Sequence, residues 1–117
     1  MKMTPFLEYI VYDIFGEDIP VTFRAMMGSY ILYYEGRAFA IVSGEELYFK
    51  GSEEIMDWYL AQGSLQFMYM RREEESYLNY FSVPPEVYEN RELLAEWLHM
   101  ALSVTKPPKK KKKKIVN

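Results

Sequence analysis

No cysteine occurs anywhere in the 117 residues, which removes disulfide frameworks, thiolate zinc sites and cysteine nucleophiles together. A chain without thiols is compatible with a reducing cytoplasm. Histidine occurs once, at His99, so there is no imidazole cluster to hold a metal or serve a nucleophile. Long hydrophobic runs are also missing. The N-terminal apolar stretch is interrupted by Glu8 and Asp13, so it reads as neither a signal peptide nor a membrane span. Basic residues are scarce outside one segment. Seven of the fourteen are Lys106 and Lys109 to Lys114, so the stretch up to Thr105 holds 7 basic against 17 acidic residues, a balance of −10, while the remainder carries +7. The net charge of −3 averages two unlike parts.

What is abundant is aromatic. Eleven tyrosines and seven phenylalanines suit the half-buried surface of a pleated sheet. A chain of this length is one domain that can fold without staples. Thr4 followed by Pro5 reads as an N-cap with proline at the first helical position. Phe6, Leu7, Ile10, Val11, Ile14 and Phe15 then recur at helical spacing, and Gly16 ends the helix. Three strands follow, near Gly28 to Tyr34, Ala38 to Val42 and Leu47 to Lys50, separated by the turn signals Glu35-Gly36 and Ser43-Gly44-Glu45. A second helix is expected from Ser52, with Ile55, Met56, Tyr59 and Leu60 on one face and Gly63 at its end. Leu65 to Met70 and Tyr77 to Val83 read as a hairpin joined through the charged run Arg71 to Glu75. Pro84-Pro85 stops the sheet, and a last helix begins near Asn90 with Leu93, Leu94, Trp97, Leu98, Ala101 and Leu102 on one side.

The order α-β-β-β-α-β-β-α with short strand connections implies an α+β fold. Its form would be two layers, a five-stranded antiparallel sheet with helices on one face. Residues 1–104 form the domain in this reading. Residues 105–117 form a disordered lysine-rich tail.

Three groups of residues carry a resemblance to a known family. The first is Thr22, Arg24, Met26, Gly28, Tyr30, Leu32 and Tyr33, followed by Gly36, Phe39, Ala40, Leu47, Tyr48 and Lys50. The second is Gly63 to Tyr69, with Phe67 and Tyr69 on a strand after the glycine. The third is Tyr80, Val83, Pro84 and Glu86, then the helix around Leu93, Leu94 and Trp97. In their joint order these resemble the TfoX N-terminal domain, with departures at Met27 and Ser29, where an aromatic and a second glycine are more typical. The resemblance implies a two-layer fold similar to secretion chaperones and a link to regulation of natural competence in bacteria. There the full-length protein resembles a coactivator that works with the cAMP receptor protein and adds a C-terminal helical domain. After Ser103 only the lysine segment follows, so a stand-alone N-terminal-type protein is expected, and the competence role transfers loosely.

No recognised catalytic constellation is present, so enzymatic activity, a cofactor and a bound metal are not expected. The acidic pairs Glu53-Glu54 and Glu73 to Glu75 lack the spacing of a calcium loop and read as solvated faces and turns. His99 reads as a helix-surface residue. Arg24, Met26 and Tyr30 are the candidate partner-binding residues. Arg24 and Met26 are placed on a segment before the first strand, where a guanidinium serves a partner carboxylate or phosphate, or else a local carboxylate such as Glu17 or Asp18.

The series Tyr30, Tyr33, Tyr34, Tyr48, Phe67, Tyr69, Tyr77, Tyr80 and Phe81 invites base stacking. A body at −10 repels phosphates, however, which favours a protein partner or a homodimer on any exposed sheet face. Lys109, Lys110, Lys111, Lys112, Lys113 and Lys114 support three readings. One is nucleic-acid contact with a salt slope of roughly −4 to −5. The others are an anionic membrane surface without insertion and a fold-back onto the acidic body, each set against a solvated tail that aids solubility. The expectation is a non-enzymatic, cytoplasmic protein-interaction domain in transcriptional regulation, with tail-driven nonspecific nucleic-acid binding as the alternative.

Overall fold

A computed structural model describes residues 3–106. Lys109 to Lys114 lie outside them, as does all of the expected tail except Thr105 and Lys106. Thr4 caps the first helix as its sequence suggests, its hydroxyl accepting from the Leu7 amide at 3.1 Å. Helix α1 (Pro5–Glu8) continues as a π-helical segment, Tyr9–Phe15, whose wider turn buries Ile10, Val11, Ile14 and Phe15 together. It closes on Gly16, which sits at φ 62° and donates to Val11 five residues back.

The sheet has six strands, not five. They are β1 (Thr22–Met26), β2 (Ser29–Tyr34), β3 (Arg37–Ser43), β4 (Glu46–Lys50), β5 (Gln66–Arg71) and β6 (Glu74–Ser82), arranged β1-β2-β3-β4-β6-β5 with every pairing antiparallel. The additional strand is β1, which occupies the segment expected to be a connection, so Arg24 and Met26 lie within the sheet. Met27 and Gly28 link it to β2 with φ of 48° and 84°, the pair of positive values that a tight two-residue hairpin requires. Methionine gives no sequence signal for that backbone.

The other departures are helical. The helix expected from Ser52 is shortened to α2 (Met56–Leu60), because the Ser52 hydroxyl accepts from the Glu54 amide in a turn that comes first. Pro84-Pro85 ends the sheet but also starts a short helix, α3 (Pro85–Tyr88), with proline where a missing N–H costs nothing. Helix α4 (Arg91–Ser103) begins where expected, with the Asn90 carboxamide accepting from the Glu92 and Leu93 amides at 3.0 Å.

Cross-strand partners share a face, and the register separates the two faces cleanly. Leu32, Ala40, Phe49 and Phe81 are successive partners across four strands, and all are fully buried in one core with Leu7, Phe15, Tyr59, Leu94 and Trp97. All the helices therefore contribute to the same face. Arg24, Ile31, Ile41, Tyr48 and Ser82 form the parallel row on the other face.

The joint between the β1–β4 meander and the β5–β6 hairpin is narrow, since β4 and β6 share only three register pairs. It is locked from the helix side. The Tyr59 ring stacks on Phe81 at 4.9 Å and 9°, and its hydroxyl donates to the Lys50 carbonyl at 2.8 Å. Burial of that phenol pushes its ionisation well above the ordinary tyrosine range. Gly51 lies beneath the pair, where an added Cβ would sit 2.6 Å from the Phe81 ring and 3.1 Å from Tyr59. Gly51→Ala is therefore expected to lower stability by about 1–3 kcal/mol through overpacking. The measurement is the urea midpoint; an unchanged midpoint would mean that Phe81 has room to move.

Candidate functional site

The face away from the helices is lined with rings. Tyr33, Tyr48, Phe67, Tyr69 and Tyr80 share it, while Tyr30, Tyr34 and Phe81 from the same sequence series pack toward the core. Tyr48 and Phe67 meet edge to face at 4.9 Å, and Phe67 continues into Tyr69 at 6.5 Å. Ile41 is fully buried at the centre of this face although no helix covers it. Its ladder partner on this face is Tyr48, whose ring meets Phe67 of β5.

A bulge brings that hairpin over the face. Gln66 pairs with Phe81, but the next residue, Phe67, pairs with Leu78, so one step on β5 answers three on β6. Asn79 and Tyr80 are left without β5 partners, and the local twist and bend increase, as bulges require. The Gln66 side chain replaces the lost ladder bonds by donating to the Leu78 carbonyl at 3.1 Å and the Asn79 Oδ1 at 3.2 Å. Below the bend a reciprocal clamp holds the root of the arm. Ser64 Oγ donates to the Ser82 carbonyl at 2.6 Å, the Leu65 amide donates to Ser82 Oγ at 2.9 Å, and the Ser82 amide returns to the Leu65 carbonyl.

Beyond the bend the arm meets the β1–β2 tip across a cleft of about 560 Å³. One wall is Met26, Met27 and Ser29. The other is Phe67, Tyr69, Met70 and Arg71 of β5, with Leu78 of β6. Met27 is 92% exposed at the rim, and Ser29 donates to Ser43 Oγ at 3.0 Å in the cleft wall. Arg71 is the one charged residue among those lining it. Since β1 and β5 are the two edges of the sheet, the cleft is the gap of a sheet curled most of the way toward closure.

Two more cations belong to this face. Arg24, one row from Met26, lies 6.0 Å from the Tyr33 ring centroid. The Nζ of Lys50 stands 5.1 Å over Tyr80. Burial lowers the Lys50 ammonium from its ordinary value, and repulsion from Lys106 lowers it further. Burial raises Tyr80, with Tyr33 adding to the effect, and burial followed by Glu46 raises Tyr48. Burial thus acts against the charged form at Tyr48, Tyr80 and Lys50 alike.

The structure brings Arg24 and Met26 together but puts Tyr30 on the opposite side, edge to face with Phe23 at 6.0 Å. Of the two local carboxylates suggested for Arg24, Glu17 and Asp18, Asp18 pairs instead with Arg91 at 3.1 Å. His99 is on the exposed side of α4. Phe67 and Tyr69 stand in the aromatic series read from the sequence, whereas Gln66, Met70 and Arg71 carry no site signal there. The only sequence signal was a run of Phe, Met, Tyr and Met on a strand with few charges.

The geometry defines a class: a helix-backed antiparallel sheet with an open aromatic face and a cleft between its edges. The sequence model of the TfoX N-terminal domain matches residues 13–105, and the chain belongs to that family. The match takes in the whole sheet and α2 to α4 and omits α1. No curated protein matches the chain.

Replacing Gln66 by leucine keeps the bulk and removes both bonds at the bend. Gln66→Leu is expected to cost about 1 kcal/mol. It should also accelerate amide hydrogen exchange in β5 and the tip of β6 more than in β3, whereas uniform acceleration would deny the side chain a local role.

Proposed function

We propose that this domain acts by binding another protein on the open face of its sheet, in bacterial regulation of the kind associated with its family, and that it has no catalytic role. The observation that carries the reading is the uncovered aromatic face, whose cleft is walled by Met26, Met27, Phe67, Tyr69 and Met70. Exposed methionines and aromatics in one concave surface suit an adaptable protein contact. The membership of the family supports a regulatory setting; transcription, competence and a cytoplasmic location are the finer parts of the proposal. No helix among the described residues is long and apolar enough to cross a membrane.

A second reading concerns nucleic acid and rests on Lys109 to Lys114. Lys106, the last described residue, lies close enough to Lys50 on the open face for the two charges to repel. In this reading Lys109 to Lys114 hold phosphates without sequence preference while the acidic body takes no part.

One pair of measurements separates the two. Binding of duplex DNA is measured at two salt concentrations for the full chain and for residues 1–105, alongside capture of cellular proteins by the full chain and by Tyr69→Asp. The protein-binding reading expects an abundant captured partner that Tyr69→Asp loses, with its identity found by mass spectrometry. Capture unaffected by Tyr69→Asp would contradict the face assignment. Salt-sensitive DNA binding that vanishes in residues 1–105 would favour the second reading.

A further inference from the structure

Every sheet with two edges leaves backbone N–H and C=O groups unpaired along both, and proteins commonly blunt such edges with charge, proline or a covering element. Among the described residues, edge strand β5 has none of these along its apolar run. It reads Gln-Phe-Met-Tyr-Met-Arg over Gln66–Arg71, without proline and with its only charge at the end. Its inner side chains, alternating along the strand, are Phe67, Tyr69 and Arg71, and all three line the cleft. Met68 and Met70 alternate with them and are 43% and 59% exposed, Met70 also reaching the cleft wall. Opposite stands the other edge, β1, with Met26 on the cleft wall and Arg24 one step along the same face.

A small ligand would fill the apolar cleft but leave most of the two backbone edges unpaired. An extended peptide satisfies both requirements, because a strand added to β5 supplies the ladder while its alternate side chains enter the cleft. The order of the inner β5 residues then sets the chemistry of the peptide. Residues opposite Phe67 and Tyr69 meet rings, and the residue opposite Arg71 meets a guanidinium. Among the described residues Arg91–Asp18 is the only ion pair, so Arg71 and Arg24 both have charge available. They are among the few cations on a body that carries −10 up to Thr105. The cleft lining is apolar with Arg71 as its one charge. Glu74 stands opposite Arg71 in the ladder without an ion pair between them, and the charge complement of the lining is an acidic apolar segment.

We propose that the cleft between β1 and β5 takes an extended segment of a partner protein by strand addition to β5. That segment has two apolar residues and one aspartate or glutamate at alternate positions, the carboxylate pairing with Arg71 and within reach of Arg24. This rests on the protein-binding reading of the open face and specifies its partner. Parallel addition gives the order apolar-x-apolar-x-acidic, and antiparallel addition gives the reverse. Binding completes the curl of the sheet and covers Tyr69 and Met70.

The test is selection of eight-residue random peptides displayed on phage, using the full chain as bait. The best peptide is then titrated as a synthetic probe while the methionine methyl signals are followed by NMR. The expected result is enrichment of an acidic residue two positions after an alternating apolar pair for parallel addition, or two positions before it for antiparallel addition. The methyl groups of Met26, Met27 and Met70 should shift, while those of Met56 in α2 and Met100 in α4 should not. Arg71→Glu should weaken the probe at least ten-fold and move the selected residue at that position to lysine or arginine. Peptides without acidic preference, unchanged affinity in Arg71→Glu, or shifts confined to other methionines would overturn this assignment while leaving a protein partner on the open face intact. Recovery of no peptide would also overturn it. The broader reading fails separately, when Tyr69→Asp captures the same proteins as the unmodified chain.

Discussion

The architecture turns on the contact of Phe81 with Gly51 and Tyr59. Strands β1 to β4 follow one another through tight turns and hold their order locally, and β5 and β6 do the same. The link between the two groups is the three-pair joint of β4 with β6. Backbone pairing that short leaves the relative direction of the two groups weakly defined. The Phe81 ring, pressed on a residue with no side chain and stacked at 9° on Tyr59, supplies the definition. Tyr59 then packs edge to face with Trp58 and Trp97, so the same contact ties the joint to α2 and α4. Apolar burial stabilises this region, and the Tyr59 hydroxyl is satisfied by the Lys50 carbonyl, so its burial leaves no polar group unpaired.

What the joint positions, the bulge redirects. Without Asn79 and Tyr80 as extra residues on β6, the hairpin would continue flat past the end of β4, and its rings would face solvent. The bend instead turns Phe67, Tyr69 and Leu78 inward against the open face, and Ile41 is buried there without help from a helix. Packing and site formation are thus one event. The cleft exists because the sheet is curled, and it stays open because β1 and β5 do not meet.

Much of this was legible in the residues. Asn90 capped the last helix as its side-chain chemistry demands, Glu35-Gly36 marked a hairpin, and the apolar spacing of Phe6 to Phe15 gave the first helix, though not its change to π geometry. The strand β1 was hidden for a physical reason. Its turn uses Met27 at φ 48°, a conformation that Asn, Asp or Gly would have advertised and methionine does not. The sidedness of Tyr30 was lost with it, because adding one strand fixes which of two alternating faces each residue takes. Arg24 and Met26 were found from their place in a matching segment, but the partners they face on β5 depend on a bend set by the Gln66 side chain. No periodicity encodes a side chain that completes a ladder, so that half of the site became visible only in three dimensions.

The central claim is that the β5–β6 arm crosses the open face to confront the β1–β2 tip. Because the chain has no native cysteine, Met27→Cys introduces a unique thiol at an exposed rim position for a nitroxide label. The account predicts that the label broadens the Met70 methyl signal strongly and the Met56 signal, on the helix side, much less. Equal broadening at both, or an unaffected Met70, would contradict it.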